Sequence, residues 1–308
     1  MAKVKHDLLY DCIVIGGGPA GLSAALMLAR YGRKAVTFHD GAPRNAHAHG
    51  IHGFLGHDGI QPEQLLELGR AEVQRYGGLI VARSVQAVQR REDEFVVHAG
   101  ELYRTRCLLL ATGLRDIPPP IPGFLDFYGT SIHHCPDCDG FEMRDKRVAV
   151  LGTGHAAIGL LKALRVWTTH LTMLTNGEPN QLDQSDRESI ETMQVPILSE
   201  KVAAFEGDVG SRRIRTVRFV DGQFMSCDAV FFALGTVPAT TFHESLGCVT
   251  ELETGLVHVG PDQQTSVRGV YAAGDITPLS HMAVMAAAEG AVAAIHIHKF
   301  LLKEFDSR

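Results

Sequence analysis

The chain has 308 residues, which is enough for two hydrophobic cores of ordinary size, and its apolar share of 45% is typical of globular proteins. A net charge of −6 with dispersed basic residues excludes the basic patch of a nucleic-acid-binding protein. No apolar run reaches the about 20 residues that span a bilayer, and no export signal precedes the first predicted strand. We therefore expect a cytoplasmic protein with no nucleic-acid partner and no membrane insertion.

The first predicted unit is a βαβ motif. A short apolar strand at residues 11–15 leads into the glycine-rich turn of residues 16–21. A helix with apolar residues at helical spacing ends near Tyr31, and a second strand follows at residues 35–38. This order is typical of a dinucleotide-binding domain.

The turn between the first strand and helix has the G-x-G-x-x-G pattern. Gly16 makes the tight turn, Gly18 admits a pyrophosphate, and Gly21 lets helix and strand pack closely. Backbone N–H groups at the helix N-terminus would hold the pyrophosphate. Asp40, just after the second strand, is placed to bind a ribose hydroxyl. The pattern predicts a dinucleotide site but does not separate FAD from NAD.

A loop rich in glycine and histidine follows. It carries His47, His49, His52 and His57, whose spacing matches no common metal motif. We interpret it as a solvated or cofactor-lining loop, and we predict no metal site.

The opening motif is repeated in the second half of the chain. A strand at residues 147–151, a glycine-containing turn at 152–157, a helix through Leu164 and a strand at 170–174 form a second βαβ unit. An apolar strand that ends in Ala-x-Gly closes each copy, at residues 107–113 and 230–235. Two copies of one pattern predict two related domains.

Proline-rich crossings separate these domains. Residues 117–123 contain four prolines. Residues 235–238, which contain a glycine and a proline, lead back to the first domain, so neither segment is expected to continue a helix or a central strand. A further strand into a glycine turn at 269–275 and an apolar, buried helix from residue 283 to about 298 complete the first domain. We predict an α/β fold of two Rossmann-like domains, with 117–238 inserted between 1–116 and 239–308.

A Cys-x-x-Cys pair lies inside the predicted insertion. Cys135 and Cys138 can cycle between dithiol and disulfide, and a helix start at this turn would lower the pKa of one thiol. The alternatives are two inert thiols or half of a zinc site, to which the adjacent His133 and His134 would contribute. No second Cys-x-x-Cys motif supplies the missing ligands, so we favour a redox pair.

Asp139 directly follows the second cysteine. A carboxyl group beside a dithiol can protonate a leaving thiolate if burial raises its pKa. The other interpretation is a solvated aspartate, or a capping side chain in the Asp139-Gly140 turn. The spacing alone does not decide between them.

The second fingerprint lacks the usual residues for a nucleotide ribose. Its turn is formed by Gly152, Gly154 and Ala157. An NADP site requires an arginine after the next strand and an NAD site an acid, but Thr175 and Asn176 stand there and Glu178 lies past a glycine. Either residues from elsewhere bind a second nucleotide, or this domain keeps the fold without the ligand.

Across nearly its whole length the chain resembles the low-molecular-weight thioredoxin reductase family of flavoproteins. The motifs that carry the resemblance are residues 16–21, 111–113, 135–140, 152–154 and 272–275. The resemblance implies a homodimer with FAD in the first domain. It also implies that Cys135 attacks the partner disulfide, Cys138 faces the flavin and Asp139 is the acid. The implied FAD contacts are Gly16, Gly18, Pro19, Ala20, Gly21, Asp40, Asn45, Ala111, Thr112, Gly113, Gly274, Asp275, Met282 and Ala283.

The chain departs from this family in two places. The basic cluster for the NADPH 2′-phosphate is replaced by residues 175–177 and Gln181, and the Arg-Gln-Ala before the last helix is residues 281–283, His-Met-Ala. Two similar branches lack that cluster: ferredoxin-dependent flavin thioredoxin reductases, and gliotoxin-type dithiol oxidases. In those oxidases a histidine usually follows the second cysteine, so Asp139 favours the reductases.

The sequence therefore predicts an FAD-dependent dithiol/disulfide oxidoreductase that acts on a thioredoxin-like protein or a small disulfide. Its electron donor is NADPH, bound atypically, or a carrier such as ferredoxin. The alternatives are a flavin oxidase that forms disulfides in small molecules with oxygen as the acceptor, and a flavin redox sensor without turnover.

Overall fold

The computed structural model describes residues 8–41, 43–179, 182–279 and 281–306, and it divides into two compact units. The first unit comprises the described residues of Met1–Ala46, Gly53–Arg115 and Thr236–Arg308. The second comprises those of His47–His52 and Asp116–Gly235. These limits lie within three residues of the predicted crossings at 117 and 238, but the segment His47–His52 groups with the second unit rather than the first.

The elements of the described chain are numbered in order. The strands are β1 Leu9–Ile15, β2 Ala35–His39, β3 Leu79–Ala82, β4 Ala87–Arg91, β5 Glu94–His98, β6 Leu102–Leu110, β7 Leu114–Asp116, β8 Ile132–His133, β9 Val148–Leu151, β10 Leu171–Leu174, β11 Ile197–Leu198, β12 Val202–Asp208, β13 Arg213–Phe219, β14 Phe224–Ser226, β15 Ala229–Phe232, β16 Thr236–Pro238 and β17 Val270–Ala272. The helices are α1 Pro19–Arg30, α2 Pro62–Arg75, α3 Phe124–Phe127, α4 Pro136–Asp139, α5 Gly154–Leu164, α6 Gln184–Met193, α7 Phe242–Ser245 and α8 Ala283–Leu301, with short 3-10 segments at Arg44–His47 and Phe141–Met143. Strands β7 and β16 pair with each other.

The first unit is built on a seven-stranded sheet. Its order is β3-β2-β1-β6-β5-β4, and β17 also pairs with β6. Strands β1, β2, β3, β6 and β17 are parallel, whereas β4 and β5 are antiparallel additions. The carboxyl ends of β1, β2, β6 and β17 therefore meet at one edge, where ligands bind in sheets of this kind.

Both faces of this sheet are buried, which explains the continuous apolar runs of its central strands. Ile13 and Leu108 belong to the core on one face, and Cys12 and Leu109 to the core on the other. Helices α1 and α8 cover the second face and pack against each other. A Cβ atom on Gly290 would lie 2.0 Å from the backbone oxygen of Ala20, so this glycine sets how closely the two helices approach.

Helix α8 is long and apolar enough to cross a membrane. The segment Ala283–Phe305 has a mean hydropathy of 1.2 over its best window. Its buried residues form one stripe at the i, i+3, i+4 spacing from Ala286 to Leu301, and apart from Glu289 they are small or aliphatic. That stripe packs in the core of the first unit, as the central helix of a globular protein does.

The second unit repeats the architecture on a smaller scale. Its five-stranded parallel sheet has the order β11-β10-β9-β15-β8, with α5 and α6 packed on one face. The antiparallel sheet β12-β13-β14 supplies Val202, Phe205 and Val217 to the core on the other face. The predicted strands at 147–151 and 170–174 are observed as β9 and β10.

Candidate functional site

The turn between β1 and α1 has the close packing that a dinucleotide site needs. A Cβ atom on Gly16 would lie 2.0 Å from the backbone oxygen of Ala111, and one on Gly21 would lie 1.9 Å from the oxygen of Gly16. A Cβ atom on Gly18 would meet no described atom within 4 Å. Pro19 is the first helical residue and no side chain caps the helix, so the first N–H groups of α1 are available to a ligand. This open, uncapped end fits a pyrophosphate.

Strands β2 and β6, which flank β1, bring predicted contacts to the same carboxyl edge of the sheet. Asp40 is exposed directly after β2, and Asn45 is half-buried in the 3-10 segment that follows. Residues 111–113 follow β6, and the N–H of Ala111 donates to the oxygen of Ile15 at the end of β1. The structure thus gathers these residues around the glycine turn.

Strand β17 adds a second glycine turn. Gly274 has a φ of +80°, and a Cβ atom on it would lie 2.9 Å from the Cβ of Ala20. Asp275 is held by an ion pair, with its Oδ2 3.1 Å from Nη1 of Arg44. Arg44 was not anticipated from the sequence. Its guanidinium fixes the carboxylate next to the glycine turn.

Helix α8 begins beside this second turn. Met282 is its N-cap and Ala283 its first residue, and both are half-buried. A Cβ atom on Gly274 would lie 3.5 Å from the Cβ of Ala286 in the first turn of α8, and one on Gly53 would lie 3.1 Å from Cε of Met282. The predicted contacts at 274, 275, 282 and 283 therefore form one cluster.

Glu289 holds this cluster together from within α8. Its side chain is only 5% exposed, and its Oε2 accepts hydrogen bonds from the N–H of Gly274 and the hydroxyl of Thr277, both at 2.8 Å. Burial raises the pKa of the Glu289 carboxyl, while these hydrogen bonds act in the opposite direction. The sequence analysis missed this residue, although one acid inside an apolar helix is a recognisable signal.

Replacing Glu289 should loosen the turn that carries Asp275. In Glu289→Ala the buried N–H of Gly274 loses its acceptor, at about 1–3 kcal/mol, whereas the hydroxyl of Thr277 can still donate to the backbone oxygen of Gly274 at 3.0 Å. We expect the free energy of unfolding, measured by urea denaturation, to fall by about 1–3 kcal/mol. The exposed control Glu67→Ala should change it by less than about 0.5 kcal/mol.

Glu289→Gln separates the charge from the hydrogen bonds because it keeps an acceptor oxygen. A raised folded-state pKa means that the native protein binds this proton more tightly than the unfolded chain does. The wild-type protein should therefore lose stability as pH rises from the ordinary pKa of glutamate to the raised one, and Glu289→Gln should lack that loss. Equal stability of Glu289→Ala and the wild type would contradict this account of the turn.

The cysteine pair lies at the start of α4 in the second unit. Cys135 and Cys138 form a disulfide with their Cα atoms 5.3 Å apart. Cys135 is the N-cap, and its Sγ accepts the N–H of Cys138 at 3.1 Å. Because α4 has only four residues, the helix dipole expected from the sequence reduces to this local N–H, which would stabilise negative charge on the sulfur of Cys135.

Asp139 is neither fully solvated nor a cap. Its side chain is 23% exposed, and its Oδ2 lies 3.2 Å from Nδ1 of His133. His133 is the last residue of β8 and is 5% exposed. The sequence analysis considered this histidine only as a zinc ligand, whereas the structure places it against the carboxylate.

The glycine after Asp139 has a steric role. A Cβ atom on Gly140 would lie 2.4 Å from Cζ3 of Trp167 and 2.5 Å from the backbone oxygen of Pro136. Trp167 is the single tryptophan of the chain and packs directly beneath the cysteine turn. The Asp-Gly pair is thus explained by this packing rather than by a flexible turn.

Other histidines near these elements have separate contacts. In the described part of the chain, no group of three or more His, Cys, Asp or Glu side chains is arranged to hold a metal ion. The ring of His134 lies 5.9 Å from that of Phe232, and the ring of His47 lies 5.9 Å from that of Tyr128. Nε2 of His52 lies 3.8 Å from a carboxylate oxygen of Glu142.

The second fingerprint is packed less tightly than the first. A Cβ atom on Gly152 would lie 3.2 Å from the Cβ of Ala233, and Gly154 begins α5 with a φ of +63°. Ala157 is fully buried at the position that Gly21 occupies in the first copy. The wider spacing explains why alanine is tolerated there.

The loop after β10 is held in place by one of its polar residues, Asn176. Oδ1 of Asn176 accepts the N–H of Val202 at 2.8 Å, and the buried hydroxyl of Thr175 has no hydrogen-bond partner among the described residues. Glu178 is exposed, and a Cβ atom on Gly177 would lie 3.7 Å from the Cβ of Lys201. Gln181, the other sequence departure, lies outside the described residues. Where the resemblance implied an arginine cluster, the described residues place Lys201 beside the loop.

Known proteins match this chain over most of its length. The family model described as pyridine nucleotide-disulphide oxidoreductase matches residues 10–292. Thioredoxin reductase aclD of Aspergillus oryzae is 31% identical over 302 residues, covering 94% of this chain and 95% of that protein. The crystal structure of HlmI has a TM-score of 0.91 at 34% identity, covering 99% of this chain and 96% of its own. The crystal structure of TrxB from Bacillus anthracis has a TM-score of 0.88 at 30% identity, covering 96% of this chain and 99% of its own. These structures confirm the predicted α/β fold.

Proposed function

The chain belongs to the pyridine nucleotide-disulphide oxidoreductase family, and we propose that it passes electrons between bound FAD and the Cys135/Cys138 pair, and from there to a thioredoxin-like disulfide. The predicted family resemblance is confirmed by these matches: the protein is a flavoprotein disulfide oxidoreductase similar to thioredoxin reductases. The observation that carries the proposal is the Cys135–Cys138 disulfide at the start of α4 with the Asp139 carboxyl group next to it in the chain.

FAD suits the first unit better than any site in the second. The required glycines at 16 and 21, the open space at Gly18 and the uncapped α1 N-terminus would accommodate its pyrophosphate, and Asp40 its ribose. The ion pair of Arg44 and Asp275 would stand at the flavin end. When bound, FAD supplies or accepts the electron pair that interconverts the disulfide and the dithiol.

The protein's own residues then carry out the exchange. In the reduced state the N–H of Cys138 would stabilise a thiolate on Cys135, which attacks the disulfide of the substrate. Cys138 resolves the mixed disulfide by attacking Cys135. Asp139 holds the proton that the leaving thiolate requires, in agreement with the role that the resemblance implied.

We propose that the electron donor is not a tightly bound NADPH. The side-chain oxygen of Asn176 accepts the N–H of Val202, and among the described residues Lys201 lies beside this loop. One lysine provides far less for a 2′-phosphate than a cluster of bidentate arginines. A one-electron carrier such as ferredoxin, or NADPH held weakly, fits these residues.

An anaerobic titration tests the choice of donor. We expect micromolar NADPH to reduce the flavin slowly or only in large excess, and NADH no better, while reduced ferredoxin bleaches the flavin absorbance. Rapid stoichiometric reduction by NADPH would show that the second unit binds the nucleotide well, and would overturn this part of the proposal.

Two other functions make different predictions for a turnover assay in the presence of oxygen. A flavin dithiol oxidase would consume oxygen rapidly with a small dithiol and show little turnover with thioredoxin. A flavin redox sensor would oxidise and reduce its cysteine pair once and fail to cycle. Asp139 favours the reductase, because in the similar oxidases a histidine usually stands there.

The compartment, oligomeric state and partner of the enzyme are part of the same proposal. We place the enzyme in the cytoplasm, where a cysteine pair cycles and other thiols remain reduced. Four further cysteines, at 12, 107, 227 and 248, are buried and unpaired, which suits that compartment. A homodimer and a thioredoxin-like partner are proposed from the resemblance, and the name of the Aspergillus relative supports the partner.

A further inference from the structure

We propose that Arg44, held in place by Asp275, supplies the positive charge for the pyrophosphate of FAD. The sequence analysis assigned the pyrophosphate to backbone N–H groups of the first glycine turn and named no basic side chain for it. The inference deepens the proposed function, on which it depends. It concerns cofactor binding alone, so its test needs neither an electron donor nor a disulfide substrate.

The path of the chain brings Arg44 to the edge of the sheet where the first glycine turn lies. Arg44 begins the 3-10 segment after β2, and Asp275 follows β17, 231 residues later in the sequence. In the sheet, β1 and β6 lie between β2 and β17. The segment after β2 therefore crosses the carboxyl ends of β1 and β6 to bring the guanidinium group to Asp275.

The ion pair is also close to the start of α1. Nη1 of Arg44 lies 3.1 Å from Oδ2 of Asp275, which directly follows Gly274. A Cβ atom on Gly274 would lie 2.9 Å from the Cβ of Ala20, the second residue of α1. At physiological salt, charges act over about 8–10 Å, and further where they are partly buried. The guanidinium charge thus reaches a ligand bound at the uncapped end of α1.

The charges at this edge show why an anionic ligand needs Arg44. Asp40 and Asp275 are both acidic. Arg44 is the single lysine or arginine among the described residues that follow β1, β2, β6 and β17 directly, which are residues 16–22, 40–41, 43–46, 111–113 and 273–277.

One histidine lies nearer to the glycine turn but carries no charge at pH 7. A Cβ atom on Gly17 would lie 2.7 Å from the Cβ of His39, the last residue of β2. Burial lowers the pKa of the His39 imidazole, and the charge of Arg70 adds to this effect. The positive charge beside the pyrophosphate site is therefore that of Arg44.

Stability alone does not account for this ion pair. The side chain of Arg44 is 12% exposed and that of Asp275 is 23% exposed. Removing such charges from water costs about as much free energy as their mutual attraction returns. An arginine held beside an anion site has a clear use, however, because its planar guanidinium group matches the geometry of phosphate oxygens.

The charge of Arg44 can be separated from its contact with Asp275 by two substitutions. Arg44→Gln keeps an N–H donor for the Asp275 carboxylate but is neutral, whereas Arg44→Lys keeps the charge. Both side chains are shorter than arginine, so a role in holding the loop alone would be impaired equally by the two.

The experiment measures the affinity of each apoprotein for oxidised FAD by fluorescence quenching, with thermal unfolding of the same samples. The matched control is Arg104→Gln, which also removes one positive charge and one ion pair. Nε of Arg104 lies 2.8 Å from Oε1 of Glu94, near the amino end of β6 and away from the glycine turn. ADP-ribose, which carries the pyrophosphate without the flavin, is added as a competitor that displaces FAD.

We expect Arg44→Gln to weaken the binding of FAD about 10- to 100-fold, and the competition by ADP-ribose by a similar factor. Arg44→Lys should bind FAD within about fivefold of wild type, and Arg104→Gln within about twofold. Raising the salt concentration from about 0.05 M to about 0.5 M should narrow the gap between wild type and Arg44→Gln, because salt screens the charge.

The reduction potential of the bound flavin tests the other anion that FAD can present. The oxidised flavin ring is neutral at pH 7, so affinity for oxidised FAD reports on the phosphates, whereas the potential reports on the reduced ring. Wild-type affinity for oxidised FAD in Arg44→Gln, combined with a lowered potential, would overturn the inference, because the charge would then serve the reduced flavin.

Two further results would overturn the inference alone. One is an FAD affinity of Arg44→Gln equal to that of Arg104→Gln, and the other is an equal loss in Arg44→Gln and Arg44→Lys. Failure of the wild-type apoprotein to bind FAD would instead overturn the proposed function, and the inference with it.

Discussion

Cys135→Ser is expected to retain its flavin and to lose disulfide exchange with external substrates by at least about a thousandfold. The serine hydroxyl can accept the N–H of Cys138 as an N-cap, so α4 should still form. The substrate disulfide, however, loses its nucleophile. The measurement is single-turnover exchange by the reduced protein, with the visible flavin spectrum recorded on the same sample.

Cys138→Ser should behave differently, because the nucleophile remains and the resolving thiol is gone. We expect one equivalent of substrate thiol to stay attached to Cys135 as a mixed disulfide, detectable by mass. Cys248→Ser is the matched control: Cys248 is buried beside the hydroxyl of Thr265 and should not affect exchange. Unchanged turnover in Cys135→Ser would remove the mechanism.

Gly18→Ala is expected to leave the chain folded and to weaken FAD binding about 10- to 100-fold, equivalent to about 1.4–2.8 kcal/mol. In the protein alone the added methyl group meets no described atom within 4 Å, and the φ of −76° suits alanine. The methyl group would occupy the space that a pyrophosphate needs. FAD affinity is measured by fluorescence quenching on apoprotein, alongside thermal unfolding of that apoprotein.

Two further glycine variants set the scale for this prediction. Gly21→Ala should destabilise the apoprotein itself, because its Cβ would lie 1.9 Å from a backbone oxygen. Gly159→Ala, in α5 with open space around the added methyl group, should leave FAD affinity unchanged and stabilise the apoprotein by up to about 1 kcal/mol. Wild-type FAD affinity in Gly18→Ala would show that the cofactor does not approach this turn.

The fold was predictable because the sequence repeats one local pattern. The apolar strands, glycine turns and helices of both βαβ units depend on neighbours in the chain, and β1, α1, β2, β9, α5 and β10 appear where they were expected. Strands β3 to β5 and β12 to β14 were not predicted. The association of His47–His52 with the second unit was also missed, since it depends on contacts distant in sequence.

The sequence analysis named the residue types of the candidate site, but not the side chains that hold them in position. Fingerprint glycines and the Cys-x-x-Cys pair are local patterns, so spacing alone identified them. The partners that position them are remote in sequence: Arg44 for Asp275, Glu289 for Gly274, and Trp167 for Gly140. His133 is close in sequence to Asp139, but only the geometry of β8 and α4 shows that the two side chains meet.

The most direct test of the account is an anaerobic dithionite titration of the purified protein with its flavin bound. We expect the wild type to take up one electron pair for the flavin and another for the Cys135–Cys138 disulfide, and Cys135→Ser to take up the flavin pair alone. A protein that stays colourless when offered FAD, or a wild type that takes up no more electrons than the variant, would contradict it.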